Sequence, residues 1–270
     1  SALPPMPKGN MPYDGGNLLL SNKEKNEIIQ VNSKSIKFIK KLIGAKEFLD
    51  ANEKWCLWIN NSQLSEALSI NAIKDRIFKV KEMRLKSSDK AANKLAERSH
   101  QFREIKETLT NSIVVPLTTS ERREYIPSGF ITNDTIPTNA LGVIYDVDLW
   151  LFSLISSKIH CKWVKYTGGK LESRIRYSPV LCYNTFPFPS ISKQRKEELT
   201  QSALKIIDER LKHSEKTLAQ LYDPDKMPEG LREAHHQNDL AVERCYRSTP
   251  FSSDEERLEY LFKLYEKMIQ

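Results

Sequence analysis

The sequence predicts an α/β (α+β) domain followed by a small all-α helical bundle, and three observations carry that prediction. Between residues 54 and 188 the apolar residues fall largely in short runs rich in Val, Ile and aromatics, whereas from 191 onward they recur only at helical spacing. Phe186-Pro187-Phe188-Pro189 stands at the changeover, where two prolines interrupt any regular element. The charge also changes there. Residues 191–270 hold 14 Lys/Arg against 16 Asp/Glu, which leaves 28 against 19, a balance of +9, to residues 1–190.

Element by element, residues 1–17 are rich in Pro and Gly and read as a linker, so the first domain is expected at 18–190 and the second at 191–270. Ser21 with Glu24 three residues on makes a capping box that starts a helix, and Ile36, Ile39, Lys40 and Ile43 extend helical spacing to Gly44. Lys54 to Ile59 reads as a buried strand. Ala67 to Ala96 has helical periodicity through Ile70, Ile73, Ile77, Val80 and Met83, with the intervening arginines and lysines on a solvated or phosphate-facing surface. Ile113–Leu117, Glu124–Pro127 and Leu141–Tyr145 read as short strands between turn-rich segments. Asp148 to Val164 follows as an amphipathic helix whose aromatic stripe is expected in the core. In the second domain, Leu199, Ala203, Ile206 and Leu211 stripe one helix, and Thr217 to Tyr222 makes a short second. Pro228 opens a third, and Ser252 or Ser253 caps a last one with Leu258, Leu261, Phe262 and Tyr265 inward.

Composition excludes several classes. With 39% hydrophobic and 29% charged residues the chain has material for a core, and no run approaches the roughly 18 apolar residues a membrane span needs. Cys56, Cys161, Cys182 and Cys245 are scattered without a C-x-x-C pair, and His235-His236 has no metal partner at helical spacing, so no metal is implied. Thiols of this kind, with no secretion signal, are expected in a bacterial cytoplasm. A basic first part joined to a near-neutral second is the pattern of a domain that faces a polyanion.

The most informative stretch is Gly168-Gly169-Lys170-Leu171-Glu172-Ser173-Arg174-Ile175-Arg176-Tyr177-Ser178. It reads as a strand after a Gly-Gly turn, and strand alternation sends Glu172, Arg174 and Arg176 to one face. A carboxylate there can accept from the exocyclic amine of cytosine, and a guanidinium can donate to O6 and N7 of guanine. The competing reading is an ion pair on a solvated strand face.

Seven blocks in order, Tyr13-Asp14-Gly15-Gly16-Asn17-Leu18, Lys54-Trp55-Cys56-Leu57-Trp58, Thr119 to Pro127, Arg176-Tyr177-Ser178, Tyr183-Asn184-Thr185-Phe186-Pro187, Leu221-Tyr222-Asp223-Pro224 and Met227-Pro228, resemble the C-terminal portion of the MmeI-like, type IIL restriction-modification enzymes. The resemblance spans essentially the whole chain. It implies a target recognition domain and a helical region that follow, in one polypeptide, a nuclease and an adenine N6 methyltransferase using S-adenosylmethionine. Double-stranded DNA is the implied partner. Glu172 and Arg174 match the pair that varies in that family with the base pair read next to the methylated adenine, and Glu with Arg implies C·G. Thr138-Asn139-Ala140 matches a second stretch associated with base choice, so Asn139 and Ala140 join Arg176 as candidate base readers. Lys170, Arg122, Arg123 and Ser120 would hold phosphates, which sets register without conveying sequence.

Catalytic motifs are missing from these residues. No Asn/Asp-Pro-Pro-aromatic motif, glycine-containing methyl-donor loop or convincing nuclease carboxylate set occurs, so the chain is expected to be inactive by itself and to need no cofactor. Its opening inside a linker, without Met, is expected of a piece of a longer polypeptide. The alternatives are a stand-alone enzyme built from residues such as His160, Glu121 and Tyr125, and a separate specificity subunit that docks a methyltransferase through its helices.

Overall fold

A computed structural model describes residues 3–270. Asp14 opens the first lobe by accepting from the Leu18 amide at 2.6 Å and the Gly16 amide at 3.1 Å, which folds the Gly-Gly turn back on itself. β1 (Leu19–Leu20) leads into α1 (Asn22–Val31), which starts at the expected Ser21–Glu24 capping box. A 3-10 turn (Ser33–Phe38) then runs straight into β2 (Ile39–Ile43), where the spacing had predicted a helix. Asn32 caps the short turn, and Lys40 and Lys41 lie on a strand that pairs on both sides. α2 (Ala45–Asp50) and β3 (Trp55–Leu57) follow. The stretch predicted helical from 67 to 96 is broken into α3 (Leu64–Leu68), α4 (Asn71–Leu85) and α5 (Lys90–Lys94).

The basic residues of α4 do not all face outward. Arg84 is fully buried and donates to the carbonyls of Pro12, Tyr13, Leu95, Arg98 and Gln101 at 2.8–3.3 Å. Its fork tethers α4 to the leading segment and to the chain after α5, and so satisfies carbonyls that would otherwise be buried without donors.

β4 (Ser112–Pro116), β6 (Gly129–Ile131) and β8 (Leu141–Ile144) form a three-stranded antiparallel sheet. β5 (Thr118–Ser120) leaves β4 for a second small sheet, and β7 (Thr135–Pro137) runs parallel to β2, closing the four-stranded sheet β1-β3-β2-β7. Glu124–Pro127, predicted as a strand, is irregular chain. Tyr125 and Ile126 are nonetheless buried, so their apolar content reports core and not sheet.

Residues 3–17, expected as a linker, are packed into the fold. Val143 donates to the Pro7 carbonyl at 2.9 Å, Gly9 to Leu141 at 2.9 Å and Asn10 to Pro137 at 2.8 Å. Gly9 is there because a Cβ would stand 2.5 Å from the Thr138 carbonyl oxygen.

α6 (Leu149–Ile155) and α7 (Lys158–Thr167) replace the single predicted helix, broken where Ser157 becomes the N-cap of α7. β9 (Gly169–Leu171) and β10 (Arg174–Arg176) come next. The helical region is α8 (Lys193–Leu211), α9 (Leu218–Leu221), α10 (Glu229–Glu243) and α11 (Asp254–Ile269), with N-caps at Ser192, Thr217, Pro228 and Ser253. It has no core of its own. One apolar cluster runs from Met6, Ile113 and Tyr125 through Trp163 and Ile175 to Leu199, Val242 and Leu261. A second, around Leu18, Phe38, Ile73 and Phe102, belongs to the first lobe, and a small third cluster around Ile43 and Val114 joins the two. The first-lobe cluster draws on residues 18–102 and on Ile136 of β7, so the chain after residue 107 contributes to both lobes.

Candidate nucleic-acid interface

Glu172 and Arg174 are not successive positions of one strand face. Leu171 pairs with Arg174, Lys170 with Ile175 and Gly169 with Arg176, so Glu172 and Ser173 are the two-residue loop of a β-hairpin. Glu172 takes φ 55°, the left-handed region that two-residue hairpin loops use to match strand twist. The predicted Gly-Gly turn is something else. Gly168 caps α7, where a Cβ would meet the Val164 oxygen at 2.5 Å, and Gly169 already lies in β9.

β10 is the middle strand of the sheet β5-β10-β9, with Arg174 opposite Ser120, Ile175 opposite Thr119 and Arg176 opposite Thr118. Cross-strand partners share a face. Ile175 and Thr119 are buried against the core, so the other face carries Arg174, Arg176, Leu171, Thr118 and Ser120. At the tip, Arg174 Nη2 donates to Glu172 Oε2 at 2.6 Å, with side chains 50% and 75% exposed. The expected triad is thus brought together by a loop and a strand. Lys170, expected to hold a phosphate, lies across from Ile175 and so on the other face from Arg174.

The stretch around Asn139 reaches the same sheet through the main chain. Leu117 donates to the Ala140 carbonyl at 3.1 Å and accepts from the Tyr177 amide at 3.0 Å, which sets the Thr138–Ala140 turn beside the Arg176 end of the hairpin. The Asn139 amide is held by the Asn10 carbonyl at 2.9 Å, and Ala140 is exposed.

The predicted phosphate holders separate. Ser120 Oγ accepts from the Arg122 amide at 3.3 Å. Arg122 is exposed and pairs at 2.5 Å with Asp225, between α9 and α10. Arg123 is half-buried, donates to Thr119 Oγ1 at 3.0 Å, and has its pKa lowered by burial against the opposing pull of Asp50 and Asp223. It braces the back of the sheet. Two residues of the enzyme alternative are engaged structurally and lie apart from the third: His160 shares a 2.9 Å hydrogen bond with Tyr177, Tyr125 donates to Asp239, and Glu121 is exposed.

The cationic material that sequence reading assigned to all of residues 1–190 is more local. Residues 18–107 carry 19 Lys/Arg against 12 Asp/Glu, so this lobe holds the whole net charge of +7 and the rest of the chain is balanced. Chemically, the hairpin face offers an acceptor and two guanidinium donors in a small area.

The family comparison fits this geometry. Residues 1–190 match the model of the MmeI target recognition domain, and residues 191–270 match the MmeI C-terminal domain. The chain belongs to the MmeI family. It is similar to DNA methyltransferase A of Bacillus subtilis (strain 168), 44% identical over 270 residues, which are 100% of this chain and 31% of that protein. The solved structure of the type IIL restriction-modification enzyme MmeI in complex with DNA superimposes with a TM-score of 0.94 at 37% identity, over 100% of this chain and 36% of that one. The chain thus spans about a third of the length of these MmeI-family relatives. Its mixed first part and helical second part match the MmeI recognition region in fold.

Proposed function

We propose that this chain is the sequence-specific duplex DNA recognition module of an adenine N6 DNA methyltransferase or restriction-modification polypeptide, and that it positions the target adenine for an upstream catalytic portion. The observation that carries the reading is the exposed Glu172–Arg174 pair at the tip of a hairpin braced by Ile175. The free protein holds the two groups against each other at 2.6 Å. On DNA, Glu172 accepts from cytosine N4 while Arg174 donates to guanine O6 and N7, so a C·G pair satisfies both. The lobe of residues 18–107 supplies attraction to phosphates, and Arg176, Thr118, Asn139 and Ala140 line the adjoining surface.

A methyl donor, S-adenosylmethionine, would be held by the upstream portion. That portion would also flip the adenine. The test is a binding titration of the full chain against duplexes selected from a randomised library, each compared with its C·G-to-G·C exchange at every position. A loss at one position that vanishes in the Glu172→Ala, Arg174→Ala double variant is expected; equal binding to all duplexes would overturn the reading.

A further inference from the structure

Leu171 is 49% exposed and stands directly across the hairpin from Arg174, on the face that Arg176, Thr118 and Ser120 share. It belongs to none of the apolar clusters, because the buried face of the hairpin is the one occupied by Ile175. Its strand neighbour on the same face is Gly169, so no apolar side chain on β9 accompanies it. A leucine in that place contributes nothing to the core and leaves apolar surface in water. The strand pairing nevertheless fixes its place, opposite Arg174 and next in sequence to Glu172.

The edge that Glu172 and Arg174 are suited to read is a row of hydrogen-bond donors and acceptors with a single apolar group, the 5-methyl of thymine. Cross-strand Cβ atoms lie about 5 Å apart, and successive base pairs are about 3.4 Å apart along the duplex. With the strand-to-strand direction of the hairpin laid along the groove, a side chain opposite Arg174 reaches the base pair beside the one Arg174 faces. We infer that Leu171 is a specificity-determining residue that contacts the methyl group of a thymine in the base pair adjoining the C·G pair read by Glu172 and Arg174. The inference rests on the proposed function, and it adds a contact that discriminates by shape and not by hydrogen bonding.

A uracil scan tests it. Each thymine of a duplex selected with the full chain is replaced in turn by uracil, which removes the methyl and leaves the hydrogen-bonding edge unchanged. Replacement at one thymine, next to the C·G pair, is expected to weaken binding about fourfold, the equivalent of one buried methyl-sized group. Leu171→Ala is expected to bind the thymine duplex as weakly as the native chain binds the uracil duplex, and to be indifferent to the replacement. Leu171→Met, which keeps an apolar tip, is expected to retain the sensitivity. Indifference of the native chain to every uracil, or the same sensitivity in Leu171→Ala, overturns the inference. The underlying reading fails separately: C·G preference that survives loss of Glu172 and Arg174 contradicts that reading, whatever the uracil scan shows.

Discussion

The Tyr125 hydroxyl donates to Asp239 Oδ2 at 2.7 Å, a buried contact between irregular chain of the first part and helix α10 of the second. Oδ1 of the same carboxyl accepts from the Lys158 amide at the start of α7, also at 2.7 Å. Asp239 therefore ties three segments together inside the core. Burial pushes its carboxyl up to about 7, against the lowering effect of those hydrogen bonds.

A raised acid binds its proton more tightly folded than unfolded. Its contribution to stability is thus complete below the ordinary value near 3.8 and declines as pH rises toward about 7, by at most about 1.4 kcal/mol per pH unit. Asp239→Asn is expected to flatten the stability curve over that window, as measured by denaturant unfolding at a series of pH values. An unchanged slope would contradict the assignment. Tyr125→Phe is expected to cost about 1–3 kcal/mol at neutral pH.

Because one apolar cluster spans both parts, deleting residues 191–270 is expected to strip Leu199, Val242 and Leu261 from the core and leave residues 1–190 without cooperative unfolding. Calorimetry decides this. Two independent transitions in the intact chain, each reproduced by the corresponding fragment, would show that the helical region folds alone.

Arg84 gives a third test. Arg84→Met removes the donor to five carbonyls and is expected to destabilise the chain by about 3 kcal/mol or more, while leaving the hairpin face intact. Urea unfolding measures the loss. A change below about 1 kcal/mol would mean that water replaces the guanidinium without penalty.

Binding of the full chain to duplex DNA is expected to fall steeply with salt, since neutralised phosphates release counterions. Replacing the exposed Lys74, Lys79 and Lys81 of α4 by Gln is expected to lower the salt slope by about one for each lysine that meets a phosphate, without altering the preferred sequence. Anisotropy titrations at several salt concentrations report both effects. An unchanged slope would place the DNA away from this lobe.

Much of this architecture could be read from residues that act locally. Ser21 with Glu24, Thr217 and Ser253 announce their helices because capping depends on a few adjacent atoms. Ile36, Ile39 and Ile43 misled because three isoleucines at that spacing suit a helix as well as a 3-10 turn running into a strand, and the deciding partners, Leu57 opposite Ile39 and Pro137 opposite Ile43, are distant in sequence. The shape of the candidate hairpin was not legible in the sequence. Glu-Ser lacks the Asn-Gly or Gly-x signal of a two-residue hairpin loop, so Lys170, Glu172 and Arg174 read as one strand. Arg122 and Arg123 look alike in sequence. Only the fold shows one paired with Asp225 and the other braced on Thr119.

The most direct measurement exchanges the hairpin pair, Glu172→Lys with Arg174→Asp, in the complete protein and determines the preferred duplex sequence by selection. Reversing donor and acceptor reverses the base edges that satisfy them, and a good bidentate contact is worth about 1–3 kcal/mol of discrimination. The expected result is a switch from C·G to G·C at one position with the rest of the sequence unchanged, and weak binding when only one residue is exchanged, because the remaining charge faces an edge it cannot satisfy. An unchanged preferred sequence with undiminished affinity would contradict the account and leave Glu172 and Arg174 as an ion pair on a solvated hairpin.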